Sequence, residues 1–168
     1  MVATLRGSTT PDEWVVRGNH YDGWVNGAED PIAGMISVLE EARAMGELYK
    51  QGWRPRRTIV YAGWDAEEPA LLGSTEWAEQ HAAELQKHAV AYINSDSTSR
   101  GFLWASGTAT LEGLVTQAGR DVTDPETQVS ALERGKARRQ VRGLPEELRL
   151  SALGSGSDYT ALLHRLGI

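Results

Sequence analysis

Apolar positions follow two rhythms along this chain: short continuous runs, and residues three or four apart. Val2 to Leu5 is a brief run, Gly7 to Asp12 is a turn cluster with Pro11, and Trp14 to Arg17 is a second run. The two runs are predicted to pair as neighbouring strands across that turn. Ile32, Met35, Ile36, Leu39, Ala42, Met45 and Leu48 then recur at helical spacing. They predict a helix from about Pro31 to Lys50 with that set as its core stripe, and Glu40, Glu41, Arg43 and Lys50 on its solvated side. Thr58 to Ala62 is rich in β-branched and aromatic residues and reads as a buried strand. A helix follows from Gly73 to about Lys87, with Ala78, Ala82 and Leu85 on one face, and then a strand, Val90 to Asn94. Beyond it the pattern weakens. Phe102 to Ala105 is a candidate short strand, Thr108 to about Val122 a third helix, and Tyr159 to Arg165 a last one. Thr123 to Leu150 is polar, carries the basic run ERGKARRQVR and shows little periodicity, so it reads as a long surface excursion.

Composition narrows the classes. With 168 residues the chain is long enough to bury a real core. Glycine, 18 of the 168, exceeds the usual ~7% and predicts many tight turns. The net charge of −6 argues against nucleic acid as a partner. No apolar run approaches the ~18 residues of a membrane span, and the N-terminal stretch lacks a signal peptide's apolar centre. The absence of cysteine removes disulfides and thiolate metal sites, so a metal would need His, Asp and Glu. A chain that opens directly in a strand reads as a piece of something longer.

Chemistry-bearing residues gather where strands end. His20 and Asp22 stand i, i+2 at the end of the second run, on one face of an extended segment. Asp22 suits the carboxylate that takes the second ring N–H of a metal-bound His. Asp30 precedes Pro31 and a helix; Glu67 and Glu68 lie between a strand and a helix; Asp96 follows a strand. Each alone is an ordinary turn, cap or dipole-complementing residue. In a parallel-rich sheet, however, such loops converge on one rim. One imidazole and several carboxylates suit a divalent metal such as zinc, and a dinuclear site if one carboxylate bridges. The chemistry would be hydrolysis, with a carboxylate free of metal moving the proton.

The stretches His20-Tyr21-Asp22, Asp30-Pro31, Trp64-Asp65-Ala66-Glu67-Glu68, Leu71 to Trp77 and Tyr92 to Ser97 resemble the co-catalytic zinc aminopeptidase and carboxypeptidase family. Gly52 to Ile59 and Leu153 to Asp158 are similar to its glutamate carboxypeptidase branch, which includes prostate-specific membrane antigen. The resemblance implies an α/β fold with a mixed, mostly parallel sheet and helices on both faces. Residues 1–168 would be part of a peptidase domain, without the apical and dimerisation domains. It implies removal of a C-terminal residue from a small peptide. His20 and Asp96 would hold one zinc, Asp30 would bridge two, Glu68 would hold the second, Glu67 would be the general base and Asp22 would orient His20. Leu71, Gly156 and Ser157 match substrate-pocket positions. Tyr21, Asn26, Pro69 and Ser157 depart from the branch's pattern and bear on substrate preference. The family's last ligand, a His, has no counterpart here, so at most about one zinc is expected in this chain, and little activity. The resemblance implies a homodimeric parent and relatives that are exported or membrane-anchored; an aminopeptidase of the same family and a transferrin-receptor-like scaffold without catalysis are the rival readings. The Asp30–Pro31 peptide is expected to be cis, since trans is favoured at X–Pro bonds by only about 0.5–1 kcal/mol.

Overall fold

The central strand is β2 (Thr10–His20), which pairs in parallel with β3 (Arg57–Trp64) on one side and with β4 (Ala89–Asn94) on the other. In the computed structural model, which describes residues 1–168, β1 (Val2–Leu5) completes a four-stranded sheet of order β1-β3-β2-β4. β1 runs antiparallel to β3, so the sheet is mixed and mostly parallel, as expected. The expected pairing of the first two runs does not occur, because both edges of β2 are taken by parallel partners and β1 lies on the far side of β3.

Alternation along β2 and β3 places helices on both faces. Val16 and Val60 are register partners and pack with Leu85, Ala78, Ala161 and Leu162. These come from α2 (Leu72–Gln80), α3 (Ala82–His88) and α6 (Tyr159–Leu166). The next pair, Arg17 and Tyr61, points the other way, towards α1 (Ile32–Lys50). There both side chains meet Glu41: Arg17 Nε at 3.0 Å and the Tyr61 hydroxyl at 3.1 Å.

That contact overturns the expected stripe of α1. Glu41, predicted on the solvated side, is drawn inward to neutralise the nearly buried Arg17. The buried side of the helix is Gly34, Met35 and Val38, while Ile36 and Leu39 are 58% and 51% exposed. The helix predicted from Gly73 to Lys87 is two helices broken at His81.

Two compact units divide the chain: Met1–Ser99 with Ser155–Ile168, and Arg100–Gly154. The second holds α4 (Glu112–Asp121) and α5 (Ala131–Val141). α5 lies in the segment read as an irregular excursion. Its basic composition hides a periodic signal, but Ser130 caps it by accepting the Glu133 amide. No strand forms over Phe102 to Ala105; a single bridge joins Ser106 to Ser151. No helix is long and apolar enough to cross a membrane.

Candidate metal centre

Three parallel strands finish at one rim. His20 ends β2 opposite Trp64, the last residue of β3, and β4 ends at Asn94 opposite Gly18. The turn carrying Glu67 and Glu68 and the turn carrying Asp96 therefore leave beside His20. Asp30 arrives from the loop before α1, and its bond to Pro31 is cis. Gly34 lets α1 approach: a Cβ there would collide with the Asp96 carbonyl oxygen.

His20 is 1% exposed. Its Nδ1 lies 3.2 Å from the Asp22 carbonyl oxygen, 3.6 Å from Asp22 Oδ1 and 3.9 Å from Glu67 Oε2. With Nδ1 donating to the carbonyl, Nε2 faces Asp30 Oδ1 at 3.3 Å and Asp96 Oδ1 at 3.8 Å, and in the neutral ring its lone pair is the one a metal would take. Nε2 is buried and has no hydrogen-bond partner. The Asp22 carboxylate also accepts the backbone amides of Glu67, at 3.0 Å, and Glu68, at 3.3 Å. Asp22 thus ties the acidic turn to the imidazole.

The two distances from Nε2 suit a divalent cation. Ligand atoms each about 2.1 Å from a tetrahedral ion lie about 3.4 Å apart, close to the two Nε2 separations. An imidazole nitrogen aimed between two carboxylates without a hydrogen bond is the donor set that zinc takes. Four of the five non-glycine residues with positive φ are here: Ala66 (φ 50°), Ala70 (141°), Leu71 (58°) and Asp96 (49°). Each costs on the order of 1–3 kcal/mol, and such outliers concentrate at functional sites.

The charges are strongly coupled. Burial favours a neutral His20, but the facing Asp96, then Glu67 and Asp158, outweigh it and raise the imidazole to about 9. Burial pushes the Glu67 carboxyl up to about 7; His20 opposes this, and Asp158, Asp96 and Glu68 add to it. His20 holds Asp96 below its usual range against the effect of burial.

The sequence-predicted residues are not all equally close. His20, Glu67 and Asp96 present donor atoms within 4.8 Å of one another. Asp30 reaches His20 Nε2 at 3.3 Å, but it and the Glu68 side chain both lie outside that mutual group. Leu71 precedes α2 in a left-handed conformation. The Gly156 amide donates to the Tyr159 hydroxyl at 3.3 Å, and Ser157 is buried, its hydroxyl accepting from Asn94 Nδ2 at 2.8 Å. Asp158, absent from the predicted set, is fully buried, with both carboxylate oxygens lacking a hydrogen-bond partner. Burial raises it to about 6, Ser74 and His20 oppose, and Asp96 and Asp22 reinforce. In sequence it ends a glycine- and serine-rich turn before a short helix, with nothing to mark it as buried; here it makes no capping bond.

Comparison with known proteins bears on this arrangement. The family model described as peptidase family M28 matches residues 1–140. The mouse protein "Aminopeptidase NAALADL1" is 40% identical over all of this chain and 23% of its own length. The Arabidopsis thaliana protein "Probable glutamate carboxypeptidase LAMP1" is 36% identical over all of this chain and 24% of its own. The chain thus spans about a quarter of the length of these relatives. Among solved structures, a zinc aminopeptidase from Bacillus subtilis superposes with a TM-score of 0.60 at 21% identity, over 99% of this chain and 37% of that one.

Proposed function

Because this chain belongs to peptidase family M28, we propose that it forms the metal-binding part of a zinc-dependent exopeptidase acting on small peptides. The observation that carries the reading is His20 Nε2, buried, unpartnered and set between the Asp30 and Asp96 carboxylates. His20, Asp30 and Asp96 would hold one zinc, and Glu68, with Asp30, would contribute to a second. Bound zinc supplies Lewis acidity towards the scissile carbonyl and lowers the pKa of water. Asp22 holds the imidazole tautomer from the Nδ1 side. Glu67 accepts a proton from the attacking water as its oxygen bonds to the carbonyl carbon, and returns it to the amine as the C–N bond breaks. The glutamate carboxypeptidase reading rests on the motifs shared with that branch. The aminopeptidase reading draws on the similarity to the mouse aminopeptidase.

Three protein ligands are the usual number for an open catalytic zinc site, whereas two carboxylates alone make a poor one. Zinc titration of the chelator-stripped chain is therefore expected to show one tight equivalent, lost on His20→Ala. Zinc at 100 times its dissociation constant should add about 2.7 kcal/mol to stability and raise the melting temperature. Failure to bind zinc, or two equally tight equivalents, would count against the assignment.

A further inference from the structure

We propose that Asn19 is a positioning residue that sets the spacing of the candidate metal ligands by tying their three chain segments together through one buried amide. The inference rests on the metal-site reading above. Asn19 is 0% exposed and stands immediately before His20 in β2. Its Nδ2 donates to the His20 carbonyl oxygen at 2.8 Å and to the Pro31 carbonyl oxygen at 3.2 Å. Its Oδ1 accepts from the Ser95 hydroxyl at 2.9 Å. The two carbonyl acceptors fix which end of the amide is the NH2 group. Each partner belongs to or adjoins a candidate ligand: His20 is one, Pro31 follows Asp30, and Ser95 precedes Asp96.

These bonds do more than satisfy buried groups. The Pro31 carbonyl already accepts the Met35 amide of α1 at 2.9 Å, so the Asn19 bond is additional and locates the Asp30 loop relative to β2. Ser95 is held from the other side by Arg17 Nη1 at 3.0 Å, and Arg17 is itself anchored to Glu41. The network therefore runs from α1 through the sheet to the Asp96 turn. Packing leaves it little freedom: a Cβ at Gly34 would lie 2.5 Å from Asn19 Oδ1. Alanine at position 19 would remove all three bonds and leave a void between α1 and the strand end. Partners that orient ligands from behind in this way typically change metal affinity by ~10–100-fold when removed.

The test uses the chelator-stripped chain titrated with Co2+, reading the visible d–d band and, separately, the melting temperature of the metal-free protein. Asn19→Ala is expected to weaken Co2+ binding by ~10–100-fold and to alter the band's position and intensity, because the ligands are displaced relative to one another. Ser95→Ala keeps the Asn19 bonds to the His20 and Pro31 carbonyls but removes its link to the Asp96 turn, together with the Ser95 bonds to Arg17 Nη1 and the Gly34 carbonyl, and should shift affinity and band in the same direction by a smaller factor. A merely structural role would lower the metal-free melting temperature and leave the affinity and band of the folded protein unchanged; that result overturns the proposal. Should Asn19→Ala fail to fold, Ser95→Ala decides alone, and a wild-type band and affinity in it refute the proposal. A wild-type chain that gives no Co2+ band overturns the metal-site reading itself, an outcome distinct from a wild type that binds and variants that bind equally well.

Discussion

At the residue scale, two carboxylates beside His20 differ in what they face. Asp96 looks at Nε2, while Glu67 approaches from the Nδ1 side, next to Asp22. Only the first orientation suits a ligand sharing an ion with Nε2. Glu67 is nevertheless within 4.8 Å of both, so position alone leaves two roles for it, base or ligand. Glu67→Gln separates them. Gln keeps the shape and cannot take the proton, so bound zinc after dialysis should match wild type while general-base catalysis, typically worth 10²–10⁴-fold, disappears from any peptidase activity. Asp96→Asn should lose zinc. Equal loss of zinc from both variants would make Glu67 a ligand. His20, Asp22, Glu67 and Asp96 were legible because each sits at a strand end, where periodicity stops and polar residues begin. Asp158 was not, since nothing in its local sequence separates a buried acid from a helix cap, and its burial depends on α6 folding back against the sheet.

At the scale of elements, burial on the two faces differs. Leu85 is fully buried in the cluster beneath Val16 and Val60, so Leu85→Ala should destabilise by about 2–5 kcal/mol in a denaturant titration. Leu39, a member of the predicted stripe, is half exposed on α1, and Leu39→Ser should fall within about 0.5 kcal/mol of wild type. The reverse order would restore the predicted stripe and contradict the observed face. Helical periodicity was enough to find α1 and its length, yet it could not orient it. Apolar residues occupy more than one side of this helix, and the side that turns inward is chosen by Arg17, a residue on another element whose charge needs Glu41. The strands β3 and β4 were legible as runs. The partner of β1 was not, because pairing is decided by which edges the later strands occupy.

At the scale of the whole molecule, acid should act on the Arg100–Gly154 unit through one pair. Burial would raise Asp124, but the Arg134 guanidinium at 2.5 Å, with the Thr127 amide and hydroxyl, holds it down to about 2. A carboxyl depressed on folding contributes stability above its unfolded value of about 3.9, and that contribution is lost as pH falls through about 2. The protection factors of the α4 and α5 amides, referred to intrinsic exchange at each pH, should therefore fall between about pH 4 and 2, and Asp124→Asn should flatten that dependence while already lowering protection at neutral pH. An unchanged acid profile in the variant would assign the sensitivity to other groups. The other unit carries a different consequence, in the order of synthesis. Every partner of β2 is distant in sequence: Val16 pairs with Val60 and with Tyr92, and β1 waits for β3 as well. Among these elements, β1, β2 and α1 are synthesised before β3 and β4, the strands that pair with β1 and β2. Loop closure across such distances is slow and entropically costly. The rim that gathers His20 and Asp96 thus comes into being only after β4 has left the ribosome, and between the emergence of β3 and of β4 one edge of β2 waits for its native partner and is open to any other strand that reaches it first.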